Sequence, residues 1–305
     1  IGRWLLFLEP GALHEGLVGG MRERGHEVMV VHRGPSFRAV DRETCEASPE
    51  DPQAVSMLFT ALDEDGGAPV AGVVFGWDGD GGDLGCGTVV EIVRELAAGR
   101  AAAGARLWLL GALAPGLEVT GAGQSAFTGL GACLGWEHPE CWGGCVLIGP
   151  QPGAPEVAAL CAELEQPDGE GQVLLRGGVR RVARLVRRPS DGLRPFRPRG
   201  DGASYLITGG LGGIGVAVAE YLAAAGARHL VLVGRSAPGE SARAAIARLR
   251  EGGCEVEAAR ADVRSRAELE ELFAGIEGGG REVKGVFHAA GVVADGTIRN
   301  LTRER

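Results

Sequence analysis

SYLITGGLGGIGVAVAEYLAAAGARHLVLVGRS, residues Ser204–Ser236, joins a β-like run, a glycine-rich turn, a helix-length apolar segment and a second β-like run without interruption. Thr208, Gly209, Gly210, Leu211, Gly212, Gly213, Ile214 and Gly215 make the turn and open the helix. Glycines at such a place let the backbone turn sharply and approach a ligand, while the free N–H groups of the helix start face its negative charge. The strand-turn-helix context favours a pyrophosphate grip over a turn whose glycines serve packing alone. At the end of the second run, where an acidic side chain would bind the ribose 2′-hydroxyl of NAD, stand Gly234, Arg235 and Ser236. Arg235 offers a charge-assisted fork to a 2′-phosphate, which favours NADPH over NADH.

Outward from this stretch, strand-length apolar runs alternate with helix-length segments. Toward the C-terminus come helices over 240–251 and 265–277, the strand CEVEAARADV and the strand VKGVFHAAG. Toward the N-terminus come RWLLFL, LHEGLVGGMRERG, HEVMVVHRG, PVAGVVFGW, TVVEIVRELAAG and ARLWLLGA. Such alternation predicts an α/β chain with parallel, doubly covered sheets. The Pro-, Gly- and Arg-rich segment at 187–203 has no apolar period and reads as a linker. The halves also resemble each other: residues 17–34 align with 218–236, and 71–79 with 284–292. Both therefore read as the same wound sheet. The first half has EPGALHEG where the second has TGGLGGIG, so it is expected to keep the fold without a cofactor.

With 305 residues, 45% apolar, the chain is long enough to bury a substantial core as one or two α/β units. A net charge of −9 with scattered basic residues leaves no footprint for nucleic acid or an anionic membrane. The opening IGRWLLFLEP has too short an apolar run for a signal segment or a membrane span and reads as a buried strand. Seven cysteines without a repeating spacing suit reduced thiols in a cytoplasmic protein. His138, Cys141 and Cys145 lack a partnering pair and read as structural, so no metal is expected.

Further along, Asp262-Val263 follows a third strand, and His288-Ala289-Ala290-Gly291 follows a fourth. TGGLGGIG, the ADV turn and HAAG, in this order, resemble the short-chain dehydrogenase/reductase superfamily. The resemblance implies that they cradle pyrophosphate, adenine and nicotinamide ribose respectively. Gly209, Gly212 and Gly215 also fit the wider spacing of the extended epimerase and dehydratase branch. SAFTGLGACLGWEHPECWGG (125–144), GQVLLRGGVRRVARLVRR (171–188) and the passage into YLITGG resemble the ketoreductase domain of modular polyketide synthases and argue against that branch.

This resemblance implies two Rossmann-like subdomains: a degenerate structural one over 1–200 and the NADPH-binding part of a catalytic one over 201–305. The second sheet is expected to stop after its fourth strand, leaving an edge at VFHAAGV. The implied substrate is a β-ketoacyl chain on the phosphopantetheine of an acyl carrier protein, within a multidomain synthase and with no enoylreductase inserted at the linker.

Reduction of a ketone needs an acid for the developing alkoxide, and a phenol serves when a cation lowers its pKa. In the family this is a Tyr with a nearby Lys and a Ser. The sequence has only Tyr205 and Tyr221, both read as core-packing or snorkelling residues in the wall that holds the turn, and a single lysine, Lys284, at a strand entry. No catalytic residue is therefore assigned, and the Lys, Ser and Tyr are expected beyond Arg305. A non-catalytic ketoreductase-like scaffold is the alternative. After HAAG, Val293-Ala294-Asp295 corresponds to a family loop tied to stereocontrol, and its final Asp295 favours the B-type alcohol.

Overall fold

The computed structural model describes residues 2–77, 85–112, 122–149, 151–189, 192, 196–199, 202–292 and 295–302. The chain forms two compact units, Ile1–Val186 with Asp295–Arg305, and Arg187–Ala294.

In the first unit, β1 (Arg3–Phe7) leads to α1 (Ala12–Glu23), β2 (Glu27–Arg33), β3 (Arg38–Ala39), β4 (Thr44–Ala47) and α2 (Ala54–Asp65). Then follow β5 (Val70–Phe75), α3 (Cys86–Ala97), β6 (Arg106–Ala112), α4 (Ala122–Glu137), β7 (Trp142–Ile148), α5 (Ala154–Glu165), β8 (Gln172–Arg176) and β9 (Val179–Val182). The nine strands form one sheet in the order β3-β4-β2-β1-β5-β6-β7-β8-β9. It is parallel except for the outer pairs β3–β4 and β8–β9. α1 and α5 bury Leu17, Met21, Leu160 and Cys161 on one face, whereas α2, α3 and α4 bury Phe59, Ile92 and Phe127 on the other. Strands covered on both faces read as apolar runs, which is why Trp4–Phe7 of β1 are buried, while Arg3 at the strand entry is buried in ion pairs with Glu27 and Asp65. Each such Leu or Phe contributes about 2 kcal/mol by leaving water.

The GQVLLRGGVRRV segment is a hairpin of β8 and β9. Gly177 and Gly178 take φ of 57° and 71°, the mirror-image turn that suits the twist of two paired strands.

The second unit runs β10 (Ala203–Thr208), α6 (Gly213–Ala224), β11 (His229–Gly234), α7 (Glu240–Glu251), β12 (Glu255–Arg260), α8 (Arg266–Gly278) and β13 (Glu282–His288). Its sheet is parallel, in the order β12-β11-β10-β13. α6 and α7 cover one face, through Leu222 and Ile246, and α8 covers the other through Ile276. The doubly wound reading therefore holds for both halves, and the helices expected over 240–251 and 265–277 form at Glu240–Glu251 and Arg266–Gly278. β13 is an outer strand among the described residues, with Val286 54% exposed.

The internal repeat is visible in atomic detail. β1 pairs with β2 and β5, as β10 pairs with β11 and β13. In each unit the register slips near the start of the central strand, between Arg3 and Trp4 in β1 and between Ser204 and Tyr205 in β10, so that Trp4 faces Gly72 and Tyr205 faces Gly285. A Cβ on Gly72 would lie 2.5 Å from the Trp4 ring, and one on Gly285 2.9 Å from the Tyr205 ring. Both aromatics thus pack against a glycine of the neighbouring strand.

Residues 295–302 follow the glycine-site half in sequence, yet they are compact with the first unit. Ile298 is only 2% exposed and belongs to the core beneath α2, α3 and α4. Its N–H donates to Glu137 Oε2 at 2.7 Å, and Arg94 donates to the carbonyls of Arg299 (3.2 Å) and Leu301 (2.6 Å). Glu137→Ala, which removes that acceptor, is expected to speed amide exchange at 298–301 by about tenfold without changing global stability. Hydrogen exchange followed by mass spectrometry checks this, and unchanged protection would refute the anchoring role.

Candidate cofactor site

β10 ends at Thr208 and α6 begins at Gly213, so the whole reversal is made by Gly209–Gly212. Gly209 sits at φ +66°, and a Cβ there would stand 2.6 Å from the Ala289 carbonyl oxygen. A Cβ on Gly210 would meet Ile207 O at 2.7 Å and Leu232 Cα at 2.8 Å, and one on Gly215 would meet Gly209 O at 2.3 Å. These three glycines are required because backbone from two neighbouring strands and the helix converge on the turn. The Gly210 N–H is shared between Ile207 O (3.2 Å) and Val233 O (3.1 Å), and Gly212 N–H returns to Gly209 O at 3.0 Å.

Gly213 is different, because a Cβ there would have nothing within 4 Å. The cap residue Gly212 is extended and supplies no side-chain acceptor. The first N–H groups of α6 have no acceptor within the helix, so its positive end is free to meet an anion.

A cavity of about 580 Å³ opens over the carboxyl ends of all four strands of this unit. Strand order reverses on either side of β10, the usual place for a ligand in such sheets. Of the residues singled out from sequence, Gly209, Leu211, Gly212, Arg235, Ser236, Asp262, Val263, His288, Ala289, Ala290 and Gly291 line it. Thr208, Gly210, Gly213, Ile214 and Gly215 do not. Thr208 is buried and shapes the opposite wall: Oγ1 is hydrogen-bonded to His288 Nδ1 at 2.7 Å and accepts the Ala290 N–H at 3.3 Å. Its carbonyl accepts the Ala289 N–H at 3.0 Å, so the HAAG turn hangs on one threonine. Ile214 points its side chain to solvent, 75% exposed.

Gly234, named beside Arg235 in the sequence but given no role there, lines the cavity too, and its hydrogen leaves room for Leu211; a Cβ would stand 2.8 Å from Leu211 Cδ1. Sequence reasoning missed Arg264 in the cavity wall. The signal was its place directly after Asp262-Val263. Hydrogen bonds from the Arg264 side chain and backbone hold the Asp262 carboxyl down at about 2. Arg235 is exposed at the end of β11, and its carbonyl accepts from Arg260 Nε at 3.1 Å.

The remaining candidates stand elsewhere. Tyr205 is buried in the core of its unit, where its hydroxyl accepts the Arg199 N–H at 2.6 Å, and it does not line the cavity. Tyr221 is not buried: it lies 60% exposed on the outer face of α6. Lys284 pairs with Glu282 at the entry of β13, the end opposite His288. Asp295 is exposed, while its loop neighbours Val293 and Ala294 lie outside the described residues. Among the described residues, His138, Glu140 and Cys141 bring ligand atoms within 4.8 Å of one another, and Cys145 is not of this group. His138 Nδ1 is paired with Glu140 at 3.0 Å, and burial pushes the Cys141 thiol up to about 11. Among the described residues no helix is long and apolar enough to cross a membrane.

The family described as the KR domain matches residues 203–305. Erythronolide synthase EryA3 of Saccharopolyspora erythraea is 34% identical over 313 residues, covering 99% of this chain and 9% of the synthase. Pikromycin polyketide synthase component PikAIII of Streptomyces venezuelae is 34% identical over 271 residues, covering 86% of this chain and 16% of that component. The chain thus spans a small part of the synthases it matches. The solved first ketoreductase of the tylosin PKS superposes with a TM-score of 0.74 at 28% identity, over 100% of this chain and 63% of that one. Solved A-type ketoreductases from a modular polyketide synthase give 0.71 at 29% identity, over 99% and 63%. The KR-domain match covers residues 203–305 and the matches to synthases and solved ketoreductases cover 86–100% of the chain, so the chain belongs with the KR domains of modular polyketide synthases, a family that implies an NAD(P) cofactor.

Proposed function

We propose that this chain is the structural and NADPH-holding portion of a ketoreductase that reduces an acyl-carrier-protein-bound β-ketoacyl thioester to a β-hydroxyacyl thioester. The observation that carries the reading is the cavity at the uncapped start of α6, with Arg235 where an NAD site would present a carboxylate. The open space at Gly213 leaves the first turn of α6 free for phosphate oxygens. Asp262 and Val263 form the wall for an adenine, and Thr208 holds the His288–Gly291 turn against the nicotinamide ribose. Arg235 and Ser236 receive the 2′-phosphate. When bound, the dinucleotide supplies the hydride. Functionally, 1–200 is read as the structural subdomain and 201–305 as the cofactor-binding part of the catalytic one.

The acid-base set is a Lys, Ser and Tyr beyond Arg305. This chain covers 63% of the solved ketoreductases it matches, so those proteins carry further residues. The partners are the carrier protein, with its phosphopantetheine arm, and the neighbouring synthase domains, in the cytoplasm. Asp295 favours the B-type alcohol.

The test uses the full polypeptide that carries this chain. NADPH binding is followed by fluorescence, and turnover by loss of NADPH with a β-ketoacyl N-acetylcysteamine thioester. Binding with turnover and a B-configured product is expected. Binding without turnover selects the scaffold reading, absence of binding overturns the cofactor site, and an A-configured product overturns the role of Asp295.

A further inference from the structure

We infer that Arg264 is a specificity-determining residue of this site: by gripping the Asp262 carboxylate it keeps the outer end of the cavity cationic, so that a 2′-phosphate is accepted beside Arg235. The inference rests on the NADPH reading and extends it to a residue that reading does not use.

Among the described residues, the charged side chains lining the cavity are Arg235, Asp262 and Arg264, with His288 as the remaining titratable group. Taken alone, Arg235 and Asp262 cancel. An ionised carboxylate there would compete with a phosphate for the Arg235 guanidinium and repel the phosphate itself. Arg264 removes that competitor. Its Nε lies 3.2 Å from Asp262 Oδ1 and 3.3 Å from Oδ2, its Nη2 lies 2.8 Å from Oδ2, and its own N–H donates to Oδ1 at 3.0 Å.

The turn that presents the pair is fixed at both ends. The Asp262 N–H donates to Glu268 Oε2 at 2.8 Å, and Ser265 caps α8 by accepting the Glu268 N–H at 3.4 Å. The Arg264 side chain is 81% exposed and that of Asp262 26% exposed. The arginine thus lies over the carboxylate, with its outer edge open to a ligand. An isolated surface ion pair contributes little to stability, so the role of this pair lies in the charge it presents.

The experiment measures Kd for NADPH and for NADH in the full polypeptide, with thermal unfolding as a fold control. Arg264→Ala is expected to weaken NADPH about tenfold and NADH less than about twofold. In an Asp262→Asn background the same change is expected to cost NADPH less than about twofold, because no carboxylate is left to mask. Arg264→Gln, which keeps the bulk and removes the charge, should behave as Arg264→Ala does. Equal weakening of both nucleotides, no weakening, or full loss in the Asp262→Asn background would each overturn the inference. Arg235→Ala separates this from the reading beneath it. If Arg235→Ala selectively weakens NADPH while Arg264→Ala does not, only the role of Arg264 fails; if neither does, the NADPH reading fails as well.

Discussion

Arg235→Asp should invert the nucleotide preference of this chain. The arginine is exposed at the end of β11, in the cavity wall. Losing a charge-assisted fork to a 2′-phosphate costs about 2–3 kcal/mol, roughly 30- to 150-fold in Kd. A carboxylate in its place adds like-charge repulsion to NADPH but accepts hydrogen bonds from the ribose hydroxyls of NADH. NADPH affinity is therefore expected to fall by about two orders of magnitude while NADH affinity holds or rises. Titration of both nucleotides by fluorescence measures the ratio. An unchanged NADPH-over-NADH preference would sink the assignment of Arg235.

Gly215→Ala is expected to abolish nucleotide binding and to destabilise the second unit, whereas Gly213→Ala should leave the fold intact. The contrast follows from what each new methyl group meets. At Gly215 it would stand 2.3 Å from Gly209 O and 2.5 Å from Gly210 Cα, both backbone atoms held by neighbouring strands. Relief requires the turn to open, at a cost of about 1–3 kcal/mol, and the opened turn no longer presents its N–H groups together. At Gly213 nothing lies within 4 Å, and alanine even favours the helix by about 0.5–1 kcal/mol. The Gly213→Ala protein should melt no lower than the parent yet bind NADPH more weakly, since the methyl group occupies the phosphate approach. Unfolding midpoints and NADPH titrations separate the two variants. A Gly215→Ala protein that binds normally would refute the account of the turn.

Much of the site was legible because its determinants are neighbours in sequence. A strand, a close-spaced glycine set and a helix within Ser204–Ser236 leave few ways to fold, and Arg235 follows directly on the second strand. The same locality explains why α7 and α8 form within a residue of expectation. It also explains how the repeat was recognised from 17–34 and 71–79, whose partners in the second unit pair in the same parallel order. Which of core packing and snorkelling Tyr221 adopts was not legible, because α6 is apolar nearly all round and its sequence does not say which side faces the sheet; at 60% exposed it is not a core residue.

Sequence by itself determined the two wound sheets, the position of the glycine turn and the arginine at the end of β11, because periodicity and turn chemistry act between residues a few places apart. Only the tertiary structure decided which glycines are forced by backbone contact and that the Asp262–Arg264 pair stands with Arg235 in the wall of one cavity. It alone placed Ile298 in the core of the first unit with its N–H on Glu137, a bond between residues 161 apart in the chain. Such choices depend on which surfaces meet after the chain has closed, and no local pattern carries that information.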